Sequence, residues 1–578
     1  MTFTEKKYIR GRLIFIGIVF TLFFGGIGAK AAYLQIFRNA WLSDKAADQY
    51  SRDLVKSGRR GTIYDANHIE MAVSIDTTSI AVYPRMIPDK GRTAVVLAKA
   101  LGLKSRAVKR KLASKRSFVW LKRQVTPRES KAVSALKMAG IDFIPAYGRF
   151  YPNRGLAASV LGFSGTEGRG LEGLEYRYEN YLKGPTQKIT VLKDALGRGF
   201  DAEKESHAND TGNNLVLTID RNIQYIAENA LQDAITRFSA RSGMAIVMAP
   251  GTGAILALAQ CPRFNPNAFA GYDRELWRNR AITDPFEPGS TMKIFSAAAA
   301  IESGICTPNT IFFCENGSYR IGKHTVHDTH AHDWLSLQQI VKYSSNIGAV
   351  KVGQRIGPQS LYTVLRKFGF GQKTGIDCPG ETSGSLALWK RWSGIDAGAI
   401  AFGQGMAVSA VQLAAAVSAI ANDGVLMKPY IVQAVTDPNG RIVKNTIPQK
   451  IRQAVSPETA RTVVRILQTV TTSGGTGVQA ALDGYTVCGK TGTAQKVDRN
   501  GAYARGKYVA SFVGFVPARN PRLTILVVID EPEKQHYGGI VTAPVFRTIA
   551  EESLNYLNIP FQKSKTPLRV AKAEAVRG

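Results

Sequence analysis

The sequence predicts an α+β fold, an antiparallel sheet with flanking helices, tethered by a single N-terminal transmembrane helix. Three observations carry this. Apolar strand-like segments gather at residues 214–259 and again at 507–529, and a long Ala-rich helical stretch, roughly Thr291 to Ala421, lies between them. Near the start, Leu13 to Ala29 runs apolar without a charge. Strands at both ends with helices between suggest one sheet shared by early and late strands, with helices packed on it.

The anchor comes first in the chain. After Lys30 the apolar character resumes through Ala31-Ala-Tyr-Leu34, enough for one tilted span of the ~20 residues a bilayer needs, with Lys30 snorkelling to an interface. Lys6, Lys7, Arg10 and Arg12 precede it more densely than cations follow it. The positive-inside bias therefore puts the N-terminus in the cytoplasm and the rest of the chain outside. A cleaved signal peptide is the competing reading. The run is too long for one and lacks a clear small-x-small cleavage site, so an uncleaved anchor is expected.

Gln35 to Glu205 mixes short strands and helices with few apolar runs, and polar Asp201 to Asp210 reads as a surface connection. Asn214 to Asp220 is then a strand and Arg221 to Arg237 a helix. A hairpin follows: Gly243 to Ala249, the turn Pro250-Gly-Thr-Gly253, and Ala254 to Ala259. Lys507 to Val516 and Leu523 to Ile529 are expected as adjacent antiparallel strands, and the basic tail from Lys563 to Gly578 as frayed. There are no internal repeats.

A chain of 578 residues is long for one hydrophobic core, so two or more domains are expected, and 44% hydrophobic residues are enough to fold them. The formal charge of +31 favours anionic partners: nucleic acid, acidic lipid or anionic wall polymers. Lys104 to Arg123 is the densest stretch, with nine Lys or Arg and no acid. It reads as a solvated helix face, with a membrane or wall contact as the competing reading. No zinc finger, aromatic strand signature or basic zipper is present, so a nucleic-acid partner is not expected. Cysteines 261, 306, 314, 378 and 488 are scattered. They suggest neither a metal pairing nor a disulfide framework, Cys306 and Cys314 being the only close pair.

Three short strings carry the chemistry. Ser290-Thr-Met-Lys293 follows Pro288-Gly289 and opens an apolar helix that runs to Gly304, so Ser290 is expected at a helix N-terminus. There the macrodipole and free N–H groups favour developing negative charge. Residues i and i+3 share a helix face, so the Lys293 amine can reach the Ser290 hydroxyl. It can act as a base once burial or a neighbouring cation such as Lys490 lowers its pKa. Standing alone, this string is ordinarily a Ser N-cap beside a surface Lys.

Ser344-Ser345-Asn346 ends one amphipathic helix and precedes another apolar run. A hydroxyl and an amide two apart on that loop can relay a proton and hold a peptide carbonyl; a capping cluster is the ordinary reading. Gly484 to Thr491 fits the phosphate-loop pattern G-x-x-x-x-G-K-[ST] letter for letter. Its interior, Tyr-Thr-Val-Cys, prefers strand, no helix follows, and an extracellular site is starved of nucleotide triphosphate. As an exposed strand the same residues can pair with a bound peptide, with Gly492 allowing close approach and Lys490, Thr491 and Thr493 serving a terminal carboxylate. Strand alternation puts Lys490 opposite Thr491 and Thr493, which requires a twist or an edge-on presentation. A second Lys373-Thr-Gly375 lies in a glycine-heavy loop and reads as structural. Four of seven histidines fall in His324 to His332. Their spacing matches no standard zinc site, so a polar surface loop is expected and no metal or cofactor is assigned.

Serine-x-x-lysine, serine-x-asparagine and lysine-threonine-glycine, in that order, resemble the signature of penicillin-binding proteins and serine β-lactamases. The chain resembles a class B penicillin-binding protein, a monofunctional peptidoglycan D,D-transpeptidase, nearly end to end. Arg60 to Asp65 resembles the family's first N-terminal box, though Ala66-Asn67-His68 departs from the usual Arg-x-Gly. Arg149-Phe-Tyr-Pro152 and Gly170 to Glu175 resemble the next two, with Ser159 where the family usually has His. Phe402-Gly-Gln-Gly405, Tyr537-Gly-Gly539 and Ala543-Pro-Val-Phe546 match further transpeptidase strings. The third-position Asn346, and the lack of C-terminal repeat modules after the catalytic domain, resemble the Gram-negative septal, division-type enzymes.

The resemblance implies a penicillin-binding/serine β-lactamase-like domain on an elongated pedestal. The expected division is a cytoplasmic tail 1–12, an anchor 13–36, a dimerisation-like pedestal 37–213, a transpeptidase domain 214–562 and a basic tail 563–578. It implies Ser290 as nucleophile, Lys293 as its base, Ser344 as proton relay assisted by Lys490, and Asn346 holding the acyl side-chain amide. Thr491, Gly492 and Thr493 would bind substrate, with the N–H groups of Ser290 and Thr493 as oxyanion hole. Implied partners are D-Ala-D-Ala stem peptides with an amine acceptor, β-lactams, the inner membrane, a membrane glycosyltransferase and other division proteins. Alternatives are an elongation-type enzyme, a D,D-carboxypeptidase or β-lactamase using water, and a scaffold that activates a glycosyltransferase.

Overall fold

A computed structural model describes residues 3–193, 199–200, 211–322, 324–498, 500 and 502–561. The expected polar connection 201–210 and the basic tail 563–578 lie outside the described residues. The chain divides into two compact units. One comprises Met1–Gly58, Thr77–Ala146 and Pro185–Asp210; the other comprises Arg59–Asp76, Tyr147–Gly184 and Thr211–Gly578.

In the first unit a helix, Phe3–Ala32, continues into a π-helical turn, Tyr33–Phe37. The helix Lys7–Phe37, of 31 residues with an 18-residue window of mean hydropathy 2.0, is long and apolar enough to cross a membrane. Its Leu13, Phe15, Leu22 and Phe23 side chains are exposed, as lipid-facing residues are. Strands Ser51–Ser57 and Thr186–Lys193 pair antiparallel. In the lobe Thr77–Ala146, helices Lys90–Leu101, Ser105–Leu112 and Pro127–Ser134 pack around Ile80, Val82, Leu97, Leu112, Leu121 and Val133. Asp89 caps the first helix, and Thr126 with Glu129 forms a capping box on the third. Helix Ser105–Leu112 buries Val108 and Leu112 and turns Arg106, Lys109 and Arg110 outward. The basic stretch is thus largely a solvated face. Lys111 and Lys122 are exceptions: the first donates to the carbonyls of Trp120 and Leu121, and the second pairs with Glu129 at 2.6 Å.

The second unit is built on a five-stranded antiparallel sheet: β1 (Ser242–Met248), β2 (Ile255–Cys261), β3 (Cys488–Val497), β4 (Tyr503–Val516) and β5 (Leu523–Asp530). The order is β2-β1-β5-β4-β3, so early and late strands share one sheet where Ile246 pairs with Leu526. β1 and β5 are buried along their whole length because both faces are covered. Ala245 and Val247 pack on one side, and Met244, Ile246 and Met248 on the other. The helices around the sheet and site are α1 (Arg221–Phe238), α2 (Lys293–Glu302), α3 (Leu337–Tyr343), α4 (Asn346–Ile356), α5 (Ala410–Ala421), α6 (Pro457–Val470) and α7 (Ala543–Tyr556). Asp220 caps α1 through the N–H groups of Asn222 and Ile223.

Two expectations change. The strand expected over Asn214–Asp220 is only Asn214–Leu217 and joins another sheet, between Val432–Thr436 and Ile63–Tyr64. It stops there because the Thr218 hydroxyl donates to Ile255 O and the Asp220 side chain turns to cap α1. The Ala-rich stretch is not continuously helical. Two short antiparallel strand pairs interrupt it, Ile311–Phe313 with Trp334–Ser336 and, in the loop between them, the hairpin Ser318–Ile321 with His324–His327. Segments 59–76 and 147–184 form one compact unit with the chain from Thr211 onward. The three N-terminal boxes meet there in one buried ion cluster: Glu175 takes Arg60 and Arg149, and Arg60 also pairs with Glu179. Burial pushes the Glu175 carboxyl up, but the two guanidinium groups outweigh it and hold the pKa below the ordinary carboxylate value. Ser159 sits buried in the short helix Ala158–Leu161.

Candidate active site

Ser290 lies in a 3₁₀ turn, Gly289–Met292, that leads directly into α2. The turn brings the Lys293 Nζ to 2.9 Å from the Ser290 Oγ. The same nitrogen lies 2.7 Å from Ser344 O, 2.8 Å from Asn346 Oδ1 and 3.2 Å from Ser344 Oγ. A neutral amine has two N–H groups and one lone pair. It can donate to the Ser344 carbonyl and the Asn346 amide oxygen while accepting the Ser290 hydroxyl proton. Lys293 is 1% exposed. Burial pulls its pKa down to about 7, against the charge of Asp328, which raises it. The sequence had offered Lys490 as a depressing neighbour, but burial is what lowers Lys293. The Lys490 amine is itself driven well below its ordinary value, first by burial and then by the charge of Lys293.

Ser344 is the C-cap of α3 and adopts a left-handed conformation, φ 63°. Such a conformation costs a non-glycine residue on the order of 1 kcal/mol and is retained where surroundings impose it. Its Oγ accepts from Lys490 Nζ at 2.8 Å and is shared with Lys293. Ser345 caps α4, taking the Gly348 N–H at 2.9 Å. Asn346 donates its Nδ2 to His327 O at 3.0 Å, which turns its Oδ1 toward Lys293.

Lys490 to Thr493 lie on β3, an edge strand of the sheet. The strand is not exposed there, as the sequence had suggested: Lys490 is fully buried and Thr491 is 7% exposed. The alternation problem is solved by side-chain length. The Lys490 amine curls back to within 3.1 Å of Thr491 O and 3.3 Å of Thr491 Oγ1. Thr491 Oγ1 shares a hydrogen bond with Thr476 Oγ1 at 2.9 Å, and Thr493 Oγ1 accepts the Gly538 N–H at 3.1 Å. The room at Gly492 is filled by the protein itself. A Cβ there would strike Ser511 Oγ and come within 2.9 Å of Thr291 Cγ2 and 3.1 Å of Pro288 O. Gly289, at φ 54°, makes the reciprocal approach to the backbone at Thr493. Its N–H donates to Gly403 O at 3.1 Å, so the Phe402–Gly405 string buttresses the Ser290 turn.

The eight residues singled out by sequence thus meet in one cluster, except that the Gly492 backbone rather than a side chain takes part. Sequence reasoning missed Asp328, whose carboxylate accepts from Ser345 Oγ, Asn346 N and Ile347 N. It also missed Glu287, which takes the Gly405 N–H at 3.0 Å and the Tyr503 hydroxyl at 3.2 Å. The adjacency of Glu287 to Pro288-Gly289 was a usable signal. Asp328 offered none, because its contacts are made seventeen to nineteen positions away. The second Lys-Thr-Gly closes its own loop: Thr374 and Gly375 donate to the Glu381 carboxylate. Among the described residues no group of three or more His, Cys, Asp or Glu could hold a metal ion, and the His332 ring stacks on Tyr343. All five cysteines are buried and free.

This geometry meets its match in known families. Residues 243–551 match the penicillin-binding protein transpeptidase domain, and residues 55–217 match the penicillin-binding protein dimerisation domain. The chain belongs to the class B penicillin-binding proteins. It is 35% identical over 567 residues to the probable peptidoglycan D,D-transpeptidase PenA of Neisseria meningitidis, covering 97% of this chain and 95% of that one. It is 33% identical to the peptidoglycan D,D-transpeptidase FtsI of Escherichia coli K12, covering 94% and 93%. Among solved structures it is similar to penicillin-binding protein 3 of Mycobacterium tuberculosis complexed with aztreonam. There the TM-score is 0.68 at 30% identity, over 88% of this chain and 98% of that chain. As a penicillin-binding protein the chain has its transpeptidase domain within the second unit, and that domain contains the whole Ser290 cluster.

Proposed function

We propose that this penicillin-binding protein crosslinks peptidoglycan by D,D-transpeptidation through an acyl-enzyme at Ser290. One observation carries the assignment of roles: a buried amine with its pKa pulled down to about 7 lies 2.9 Å from a serine oxygen at the start of a helix. Neutral Lys293 takes the Ser290 proton as Oγ attacks the penultimate D-Ala carbonyl of a stem peptide. The N–H groups of Ser290 and Thr493 stabilise the oxyanion, each donor contributing roughly 3–4 kcal/mol. Ser344, hydrogen-bonded to both lysines, passes a proton to the leaving D-Ala amine, and Lys490 assists electrostatically. Asn346 holds the acyl side-chain amide; Thr491 and Thr493 hold the terminal carboxylate. An amine of a neighbouring stem then attacks the ester and forms the crosslink. A β-lactam acylates Ser290 in the same way and stalls there.

The likeness to FtsI supports a septal role, with a membrane glycosyltransferase and other division proteins as partners. The apolar N-terminal helix supports a single-pass protein of the inner membrane, N-terminus inside and catalytic unit outside. The division at 13–36, 37–213 and 214–562 describes the order of anchor, pedestal and catalytic domain along the chain. The test is fluorescent penicillin labelling of membranes with and without Ser290→Ala. Labelling that survives the substitution rejects Ser290 as nucleophile. Release of D-Ala coupled to crosslinks in supplied glycan separates transpeptidation from hydrolysis.

A further inference from the structure

The charge of this protein is unevenly placed. Residues 77–146 carry sixteen Lys and Arg against three acids, a surplus of thirteen within a chain whose total is +31. All three acids are engaged within the lobe. Asp89 caps helix Lys90–Leu101, Glu129 pairs with Lys122, and Asp142 accepts from Tyr83 OH and Phe143 N. The outward cations, among them Arg92, Lys104, Arg106, Lys109, Arg110 and Lys115, are exposed and have no ion-pair partner among the described residues. They lie on two of the lobe's helices and the turns that follow Leu101 and Leu112, not in one point-like pocket. Folding gains little from such a crowd, since like charges repel across it.

We infer that this lobe is a docking surface for the uncrosslinked glycan strand, a polymer that presents carboxylates on successive stem peptides. The inference rests on the peptidoglycan reading above. Arginine forks match carboxylates in pairs, and a multivalent cationic face suits a repeating anion better than a single one. The same surface is poorly made for a bilayer. Among residues 77–146 the one exposed large apolar side chain is Val95, whereas interfacial segments present Trp, Phe or Leu beside their cations. A strand tethered here stays at the enzyme.

The full-length protein in neutral detergent micelles, with fluorescent uncrosslinked strands as probe, tests this. The wild type should bind strands at low salt and release them as salt rises. Arg106→Gln/Lys109→Gln/Arg110→Gln, all at exposed positions, should bind at least about tenfold more weakly while Ser290 takes fluorescent penicillin at the wild-type rate. Strands whose carboxylates are amidated should not bind. Unchanged strand binding by the triple variant, with normal penicillin labelling, overturns the docking surface and leaves the transpeptidase reading standing. Capture of phosphatidylglycerol bicelles but not strands, lost in the triple variant, overturns it in favour of lipid. A wild type that takes no penicillin at Ser290 overturns the transpeptidase reading instead.

Discussion

Asp328 holds Asn346: its Oδ1 receives the Asn346 backbone N–H at 2.5 Å, while the carbonyl of the preceding residue, His327, takes the Asn346 side-chain amide at 3.0 Å. A two-residue stretch of a surface hairpin therefore sets the direction in which Asn346 presents its oxygen to Lys293.

Asp328→Asn keeps the shape and removes the charge. It should lower stability by about 1–2 kcal/mol, the cost of weakening charged hydrogen bonds at a helix N-terminus. Because the Asp328 charge raises the Lys293 pKa, its loss should also move the acid limb of Ser290 acylation to lower pH. Thermal unfolding and pH-resolved penicillin kinetics measure the two effects; an unmoved limb rejects the coupling.

Wild-type acylation should fall as pH drops through about 7, where Lys293 becomes an ammonium, and level off above it. Stability carries the same sign. The folded pKa lies below the ordinary 10.5, so between those values the unfolded chain binds more protons and stability should rise with pH. Stopped-flow acylation and urea titrations across this range report each.

Lys490→Met fills most of the same space without an amine. It removes the donor to the Ser344 Oγ and should slow acylation by about 10²- to 10⁴-fold, the usual range for a group that moves or steers a proton. Circular dichroism of the variant should match the wild type; an acylation rate within a few-fold of it would exclude Lys490 from the proton route.

Gly492→Ala should destabilise by about 1–3 kcal/mol, since its methyl would meet Ser511, Thr291 and the Pro288 carbonyl. Any relief pushes the Ser290 turn away from β3, so acylation should weaken more than stability does. Loss of stability with intact acylation kinetics contradicts this.

Arg60→Ala should cost about 3–5 kcal/mol, because Glu175 is left buried beside a single guanidinium. Acylation per folded molecule should stay near wild type. A change in midpoint below about 1 kcal/mol in denaturant would show the cluster to be dispensable.

Much of this was legible in the sequence because its signals are local. Pro288-Gly289 before an apolar helix announces the Ser290 turn, and the strand preference of Tyr485 to Cys488 identifies Lys490 as a strand residue despite the phosphate-loop match. What stayed hidden depends on contacts distant in the chain. Thr476 beneath Thr491 and Gly538 beside Thr493 become neighbours only after the sheet forms. The short strand pairs were missed because three- and four-residue strands such as Ile311–Phe313 and Ser318–Ile321 are too short to show a period. The burial of β3 was missed because what covers Gly492 is the Pro288–Thr291 turn, some two hundred positions earlier.

The strand order sets a schedule for a chain synthesised from its N-terminus onward. Ser290 and Lys293 emerge early, yet the β3–β4 hairpin that bears Lys490 has no direct seam with β1 and is joined to it through β5. A chain stopped between Thr493 and Leu523 carries all three catalytic strings but lacks β5, the strand that joins the Lys490 hairpin to β1. Reactivity therefore switches on only once β5 is made, and a frameshift just before it silences the enzyme without touching a single reacting residue.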